Sequence, residues 1–210
     1  MEFLFLASKV LFWGLMATVL ACIEIEVEGK YGWAEKLPTW YRTRGFAADL
    51  YGKFMNGKPL TGYHSFMFFF PLFIFHAQFF MGMAWSITGE FMAWSMYFVW
   101  CVMWDFHWFV LNPFYAGKFS KKQVWWHYKS EWIFGLFPVD YCIGIIFSLG
   151  LAVIASCIMG NKEIFTNHVE LLAGFGIYTF ILWLLAPFYY TWYRKMRQQD
   201  DRGDAGIFHT

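Results

Sequence analysis

Five stretches of this chain run for roughly twenty residues each with almost no charge, the length a helix needs to cross the ~30 Å hydrocarbon core of a bilayer. They extend from about Phe3 to Ile25, His64 to Ile87, Glu90 to Leu111, Asp140 to Met159 and His168 to Trp192. The apolar runs are continuous and lack strand-like alternation. They therefore predict helices over barrel strands, the two architectures that satisfy a backbone in lipid. Composition agrees. Among 210 residues, 59% are hydrophobic and only 15% charged, against about 25% charged in a soluble domain. The 27 Phe, 13 Trp and 12 Tyr exclude disorder, and a net charge of +1 excludes a nucleic-acid binder acting through bulk charge. The expected fold is an all-α integral membrane protein. It forms a single transmembrane domain over residues 1–210, a bundle of five transmembrane helices with a short interfacial helix in the first cytoplasmic loop and a tail over 193–210.

Orientation follows from the basic residues. Odd crossings put the termini on opposite sides, and all of the 16 Lys and Arg except Lys9 and Lys162 fall on the side that holds the 26–63 loop, the 112–139 loop and the tail. The positive-inside rule places that side, and the C-terminus, in the cytoplasm and the N-terminus outside. The first segment lacks the basic start and small-residue cleavage site of a signal peptide, and Glu24, Glu26 and Glu28 follow it directly. Within the first cytoplasmic loop, Phe46, Leu50 and Phe54 are spaced i, i+4, i+8 and predict a helix with one apolar face along the interface. Trp33, Trp40, Trp125 and Trp126 suit headgroup depth. The four cysteines fall in crossing segments without C-x-x-C spacing and read as free thiols.

The fourth crossing carries Gly144, Ser148, Ala152, Ser156 and Gly160, one small residue every fourth position. Such a stripe admits another backbone closely, either a helix of the same chain or a partner in a homo-oligomer or larger membrane complex. Pro71 and Pro187 interrupt the second and fifth crossings and each frees a carbonyl.

Ionisable groups in a bilayer are expensive and face a bundle interior with a partner. The topology gathers several of them beneath one leaflet. Glu24, Glu26 and Glu28 end the first crossing, His64 begins the second and Asp140 opens the fourth. Asp105 lies about 10 Å below the same surface at 1.5 Å per residue, with His127 and Glu131 in the loop that follows. Mixed carboxylate and imidazole sets suit zinc, iron or manganese. His127 and Glu131, and likewise Glu24 and Glu28, are four apart and share a face of any helix they occupy. Asp105 and His107 are two apart and point about 200° from each other, so one ion cannot use both. The candidate ligands are Glu24 or Glu26, His64, Asp105, His127 and Glu131. The competing reading is structural charge, with the glutamates paired to Lys30, Lys36 or Arg42 and Glu131 to Lys129 or Lys122.

His76 is twelve residues beyond His64, about 18 Å deeper along a helix and near the midplane. A bis-histidine haem would need a second histidine at that depth, so haem within this chain alone is not expected. A carbonyl freed by Pro71 or a hydroxyl on a facing helix is the simpler partner. No G-x-S-x-G, phosphate-binding loop or dinucleotide fingerprint is present. Two functions fit these features: a metal-dependent enzyme acting on a lipid-like or other amphipathic substrate at the cytoplasmic interface, or an accessory subunit of a larger membrane complex. Proton conduction through His76 and Asp105 is a third.

Overall fold

In the computed structural model, residues 2–116, 119–122, 124, 127 and 130–199 are described. Trp125, Trp126, Lys118, Lys129 and the end of the tail from 200 onward lie outside them. Among the described residues the chain forms six helices: α1 (Glu2–Glu28), α2 (Phe46–Phe54), α3 (Gly62–Phe80), α4 (Ile87–Leu111), α5 (Val139–Met159) and α6 (Glu163–Gln198). Two short antiparallel ladders join them: β1 (Tyr41–Arg42) with β2 (Leu60–Thr61), and β3 (Trp132–Ile133) with β4 (Phe137–Pro138).

Three of the helical segments, Phe3–Glu28, Val139–Met159 and Glu163–Gln198, are long and apolar enough to cross a membrane. Their large apolar side chains are widely exposed, among them Phe12, Ile146, Phe188 and Trp192, which suits contact with lipid. Helices α3 and α4 carry more polar interruptions: α3 holds His64, Pro71, His76 and Gln78, and α4 holds Asp105 and His107.

Helix boundaries follow local chemistry. Thr61 caps α3 by accepting a hydrogen bond from the His64 backbone N–H, and Ser86 caps α4 through Gly89. Helix α5 ends at Gly160 in the left-handed region. Helix α4 is the hub and packs against α1, α3, α5 and α6. Its Trp100, Met103, Trp104 and Trp108 are buried at the centre of the core.

The small-residue stripe of α5 is used inside the chain. A Cβ on Gly144 would lie 2.5 Å from Val102 Cγ2 of α4, and Ser148 and Ala152 are fully buried. The Ser95 hydroxyl donates to the Ser148 carbonyl at 2.7 Å. Both serine hydroxyls lie within 3.0 Å of His168 Nε2 on α6. The central members of the stripe are thus packed within the chain, the first of the two uses expected for it.

His76 also differs from expectation. Helix α3 ends at Phe80, so His76 lies one turn from its end. Its Nδ1 meets the Leu72 carbonyl at 2.7 Å and its Nε2 meets Glu90 Oε1 at 3.1 Å. The carbonyl in use is thus that of Leu72, four residues back, and not the one Pro71 frees. Buried His107 bridges Thr18 on α1 and Thr179 on α6 at 3.3 and 2.9 Å. It turns away from Asp105, as their spacing requires. The four cysteines are free.

Candidate metal centre

At the end of the bundle where α1 and α4 finish and α3 and α5 begin, acids and imidazoles from four elements converge. Glu24 and Glu28 stand one turn apart on α1, and both are buried. His64 enters from the first turn of α3. The β1–β2 ladder fixes its approach by pairing Tyr41 with Thr61, and the Thr61 hydroxyl lies 3.0 Å from His64 Nδ1. One threonine therefore caps the helix and sets the imidazole plane. His64 Nε2 is then aimed at the two carboxylates, 3.6 Å from Glu28 Oε1 and 3.8 Å from Glu24 Oε1. One ligand atom from each of these three residues lies within 4.8 Å of the other two.

The loop after α1 is shaped around this group. Gly29, Gly32, Trp33 and Ala34 all take positive φ, a run in which two non-glycine residues accept backbone strain. The result turns the Ala34 N–H onto Glu28 Oε1 at 2.5 Å. It also lays the Trp33 indole flat on His64, ring centroids 4.1 Å apart and 11° between planes. Trp33 is thus buried in the site, and its indole N–H donates to the Pro59 carbonyl at 2.9 Å. The Trp104 indole faces Glu24 from α4.

A second group adjoins the first. Asp105 on α4 accepts a hydrogen bond from the Tyr141 hydroxyl of α5. Its Oδ2 is 3.7 Å from His127 Nε2, and His127 Nδ1 is 3.4 Å from Asp140 Oδ2. Asp140 is held by the Ser130 hydroxyl at 2.8 Å, by Lys58 Nζ at 3.0 Å and by the Asn56 amide. The β3–β4 hairpin brings Ser130 and Asp140 together. Its turn places Phe134 and Gly135 at positive φ, and the Val139 N–H closes onto the Glu131 carbonyl at 2.8 Å. Asp105 is deeply placed, yet a third of its side chain is accessible. Its charge is felt by Glu24, Glu28 and His64, which joins the two groups electrostatically.

The residues expected at the site divide accordingly. Glu24, His64, Asp105 and His127 come together. Glu26 does not: it is half exposed on the other side of α1 and pairs with Arg197 of α6 at 3.2 Å. Glu131 is exposed at the start of the hairpin and contributes its backbone. Their places are taken by Glu28 and Asp140. Glu28 was legible from its i, i+4 relation to Glu24, since Glu26, two residues on, must point away. Lys58, one of the cationic loop residues, is buried beside Asp140 instead of facing solvent. Nothing in its sequence neighbourhood signals this.

Among the described residues, carboxylates outnumber the Lys and Arg that pair with them here. Glu24, Glu28, Asp105 and Asp140 converge here, and among the described residues Lys58 is the one Lys or Arg in an ion pair with them. Tyr115 in the loop after α4 lies close by, and its phenol is pushed up to about 12, first by burial and then by the nearby Glu28 and Glu35 charges. Buried like charges need a compensating cation or protons.

No family model, curated protein or solved structure matches this chain. The functional reading therefore rests on the geometry.

Proposed function

We propose that the chain is a single transmembrane domain over residues 1–210 that crosses a bilayer five times, through α1, α3, α4, α5 and α6. Helix α2 lies along the interface, the N-terminus is outside, and the end holding the candidate centre is cytoplasmic. At that end it binds a divalent cation (zinc, iron or manganese) between Glu24, Glu28 and His64, with Asp105 and His127 beside it and Asp140 orienting His127. It acts there as a metal-dependent enzyme on a lipid-like, amphipathic molecule.

The observation that carries this reading is the buried Glu24, Glu28 and His64 group, with ligand atoms within 4.8 Å of one another. The gaps of 3.6 and 3.8 Å from His64 Nε2 to the carboxylates exceed a hydrogen bond. Two ligands bound at about 2.0–2.2 Å to one ion stand roughly 3–3.6 Å apart, so a small contraction suits shared coordination. Both histidines also have their second nitrogen near an orienting group, Thr61 for His64 and Asp140 for His127. Metal-ligating histidines are held in this way. The excess of buried carboxylates supplies the charge that a divalent cation would neutralise. Glu26 and Glu131 are left out of the proposed ligand set because they stand apart from it. Bound there, the ion would act as a Lewis acid, and the accessible edge of Asp105 would face an incoming polar group.

Elemental analysis of the protein purified without chelator tests the proposal. Stoichiometric zinc, iron or manganese, lost in Glu28→Ala and in His64→Ala, is the expected result. A metal-free protein that regains no ion on titration with all three metals refutes it.

A further inference from the structure

Helices α4, α5 and α6 border a second feature that the metal centre does not use, a cleft open along one side where Phe180 and Trp183 are exposed. The volume of this cavity is about 690 Å³, within the roughly 300–1,000 Å³ range of small-molecule sites. Val102, Phe106, Ile145, Phe175 and Trp183 contribute to a lining that is almost wholly apolar. Along α6 it extends from Leu172 to Trp183, about 16 Å at the helical rise. It is thus long, narrow in chemistry and set against α5 and α6, two helices apolar enough to lie in lipid.

One end of this cavity is different. Tyr141 forms part of the wall, and its hydroxyl donates to Asp105. Asp105 in turn faces His127 and the field of Glu24 and Glu28. The apolar cleft therefore meets the charged centre at Tyr141. A ligand matched to both has one long hydrocarbon chain and one polar terminus. We infer that the α4–α5–α6 cavity is the chain-binding site of a single-chain amphiphile, a fatty acid or long-chain alcohol, whose polar end is presented past Tyr141 toward Asp105. This deepens the proposed function by naming its substrate class and rests on that reading for the role of the polar end; the cavity and its occupant stand apart from whether a metal binds.

Gly176 gives a direct probe. It lines the cavity, and a Cβ there meets nothing within 4 Å, so a larger side chain can enter without displacing backbone. Gly150 on α5 is equally open but is not part of the lining, which makes it the control. The experiment is photolabelling of the full chain in nanodiscs with a diazirine-bearing palmitic acid, with labelled peptides mapped by mass spectrometry. The expected result is saturable labelling of cavity residues on α4, α5 and α6, competed by palmitic acid or hexadecanol. Gly176→Phe should reduce it at least tenfold while Gly150→Phe leaves it unchanged. Gly176→Leu serves as the milder block if the Phe variant does not elute as a monodisperse species.

Labelling that is unsaturable and spread over all lipid-facing helices overturns the inference, since the cavity then holds bulk lipid only. So does labelling that survives both Gly176 variants, or competition by phosphatidylcholine with none by single-chain amphiphiles. Labelling repeated on Glu28→Ala separates the two claims: saturable cavity labelling that persists once the ion is lost supports a chain site independent of the metal, while the metal reading fails only if the unsubstituted protein binds no ion. Loss of cavity labelling with metal content intact sinks the chain site alone.

Discussion

At the scale of single residues, the candidate centre is held by side chains that orient other side chains. Thr61 is fully buried and serves both the first turn of α3 and His64 Nδ1. Thr61→Val keeps the shape and removes both bonds. Chelator competition should show metal affinity falling by about 10–100-fold, the usual effect of losing an orienting partner; an unchanged affinity would show that His64 is held by Trp33 stacking alone. Lys58 and Asp140 form the second pair, 3.0 Å apart and largely enclosed. Asp140→Ala leaves a buried ammonium without its partner and should cost about 3–5 kcal/mol in unfolding free energy, with the double replacement Lys58→Met, Asp140→Leu costing less than the single change. Thermal unfolding in detergent measures both. Much of this group could be read from the chain alone. Glu24, His64, Asp105 and His127 are polar residues in or beside apolar runs, and lipid leaves them few places to point. Trp33 and Lys58 could not be read, because their burial comes from a strained loop and a short ladder with no periodic signature. Glu26 and Glu28 are separable only by their 3.6-residue phase relative to Glu24.

The helices themselves were the most legible elements, since each apolar run has helical length, and Thr61 and Ser86 stand as capping residues before α3 and α4. What the pattern did not carry is where runs break. The second run reads as continuous to Ile87, but the Gly82 bend at positive φ divides it, so α3 stops at Phe80 and α4 begins at Ile87. That break moves His76 to a helix end and gives it Glu90 as a partner. Packing between elements depends on small residues at close crossings. Gly144→Leu would drive a side chain into Val102, with the Cβ alone at 2.5 Å. Overpacking of this kind should destabilise by about 1–3 kcal/mol. Gly150→Ala has open space around it and should be neutral or slightly stabilising, by up to about 1 kcal/mol from helix propensity. Equal effects of the two changes on the unfolding midpoint would contradict the α4–α5 contact.

For the whole molecule, Glu24, His64, Asp105 and His127 come together from distant segments; five passages through a bilayer, with the sidedness set by the distribution of Lys and Arg, are the proposed reason. With the four native cysteines replaced by alanine, Arg42→Cys and Lys121→Cys should react with an impermeant maleimide from the same side of sealed vesicles. Lys162→Cys should react from the opposite side. Labelling of Arg42→Cys and Lys121→Cys from different sides would break the topology.

The coordination itself is open to a single spectroscopic reading. X-ray absorption at the edge of whichever of zinc, iron or manganese copurifies should give a first shell of nitrogen and oxygen only, at about 2.0–2.2 Å, with imidazole outer-shell scattering that disappears in His64→Ala. A sulfur-containing shell, or an imidazole signal untouched by that substitution, would place the ion elsewhere and contradict the centre built from Glu24, Glu28 and His64.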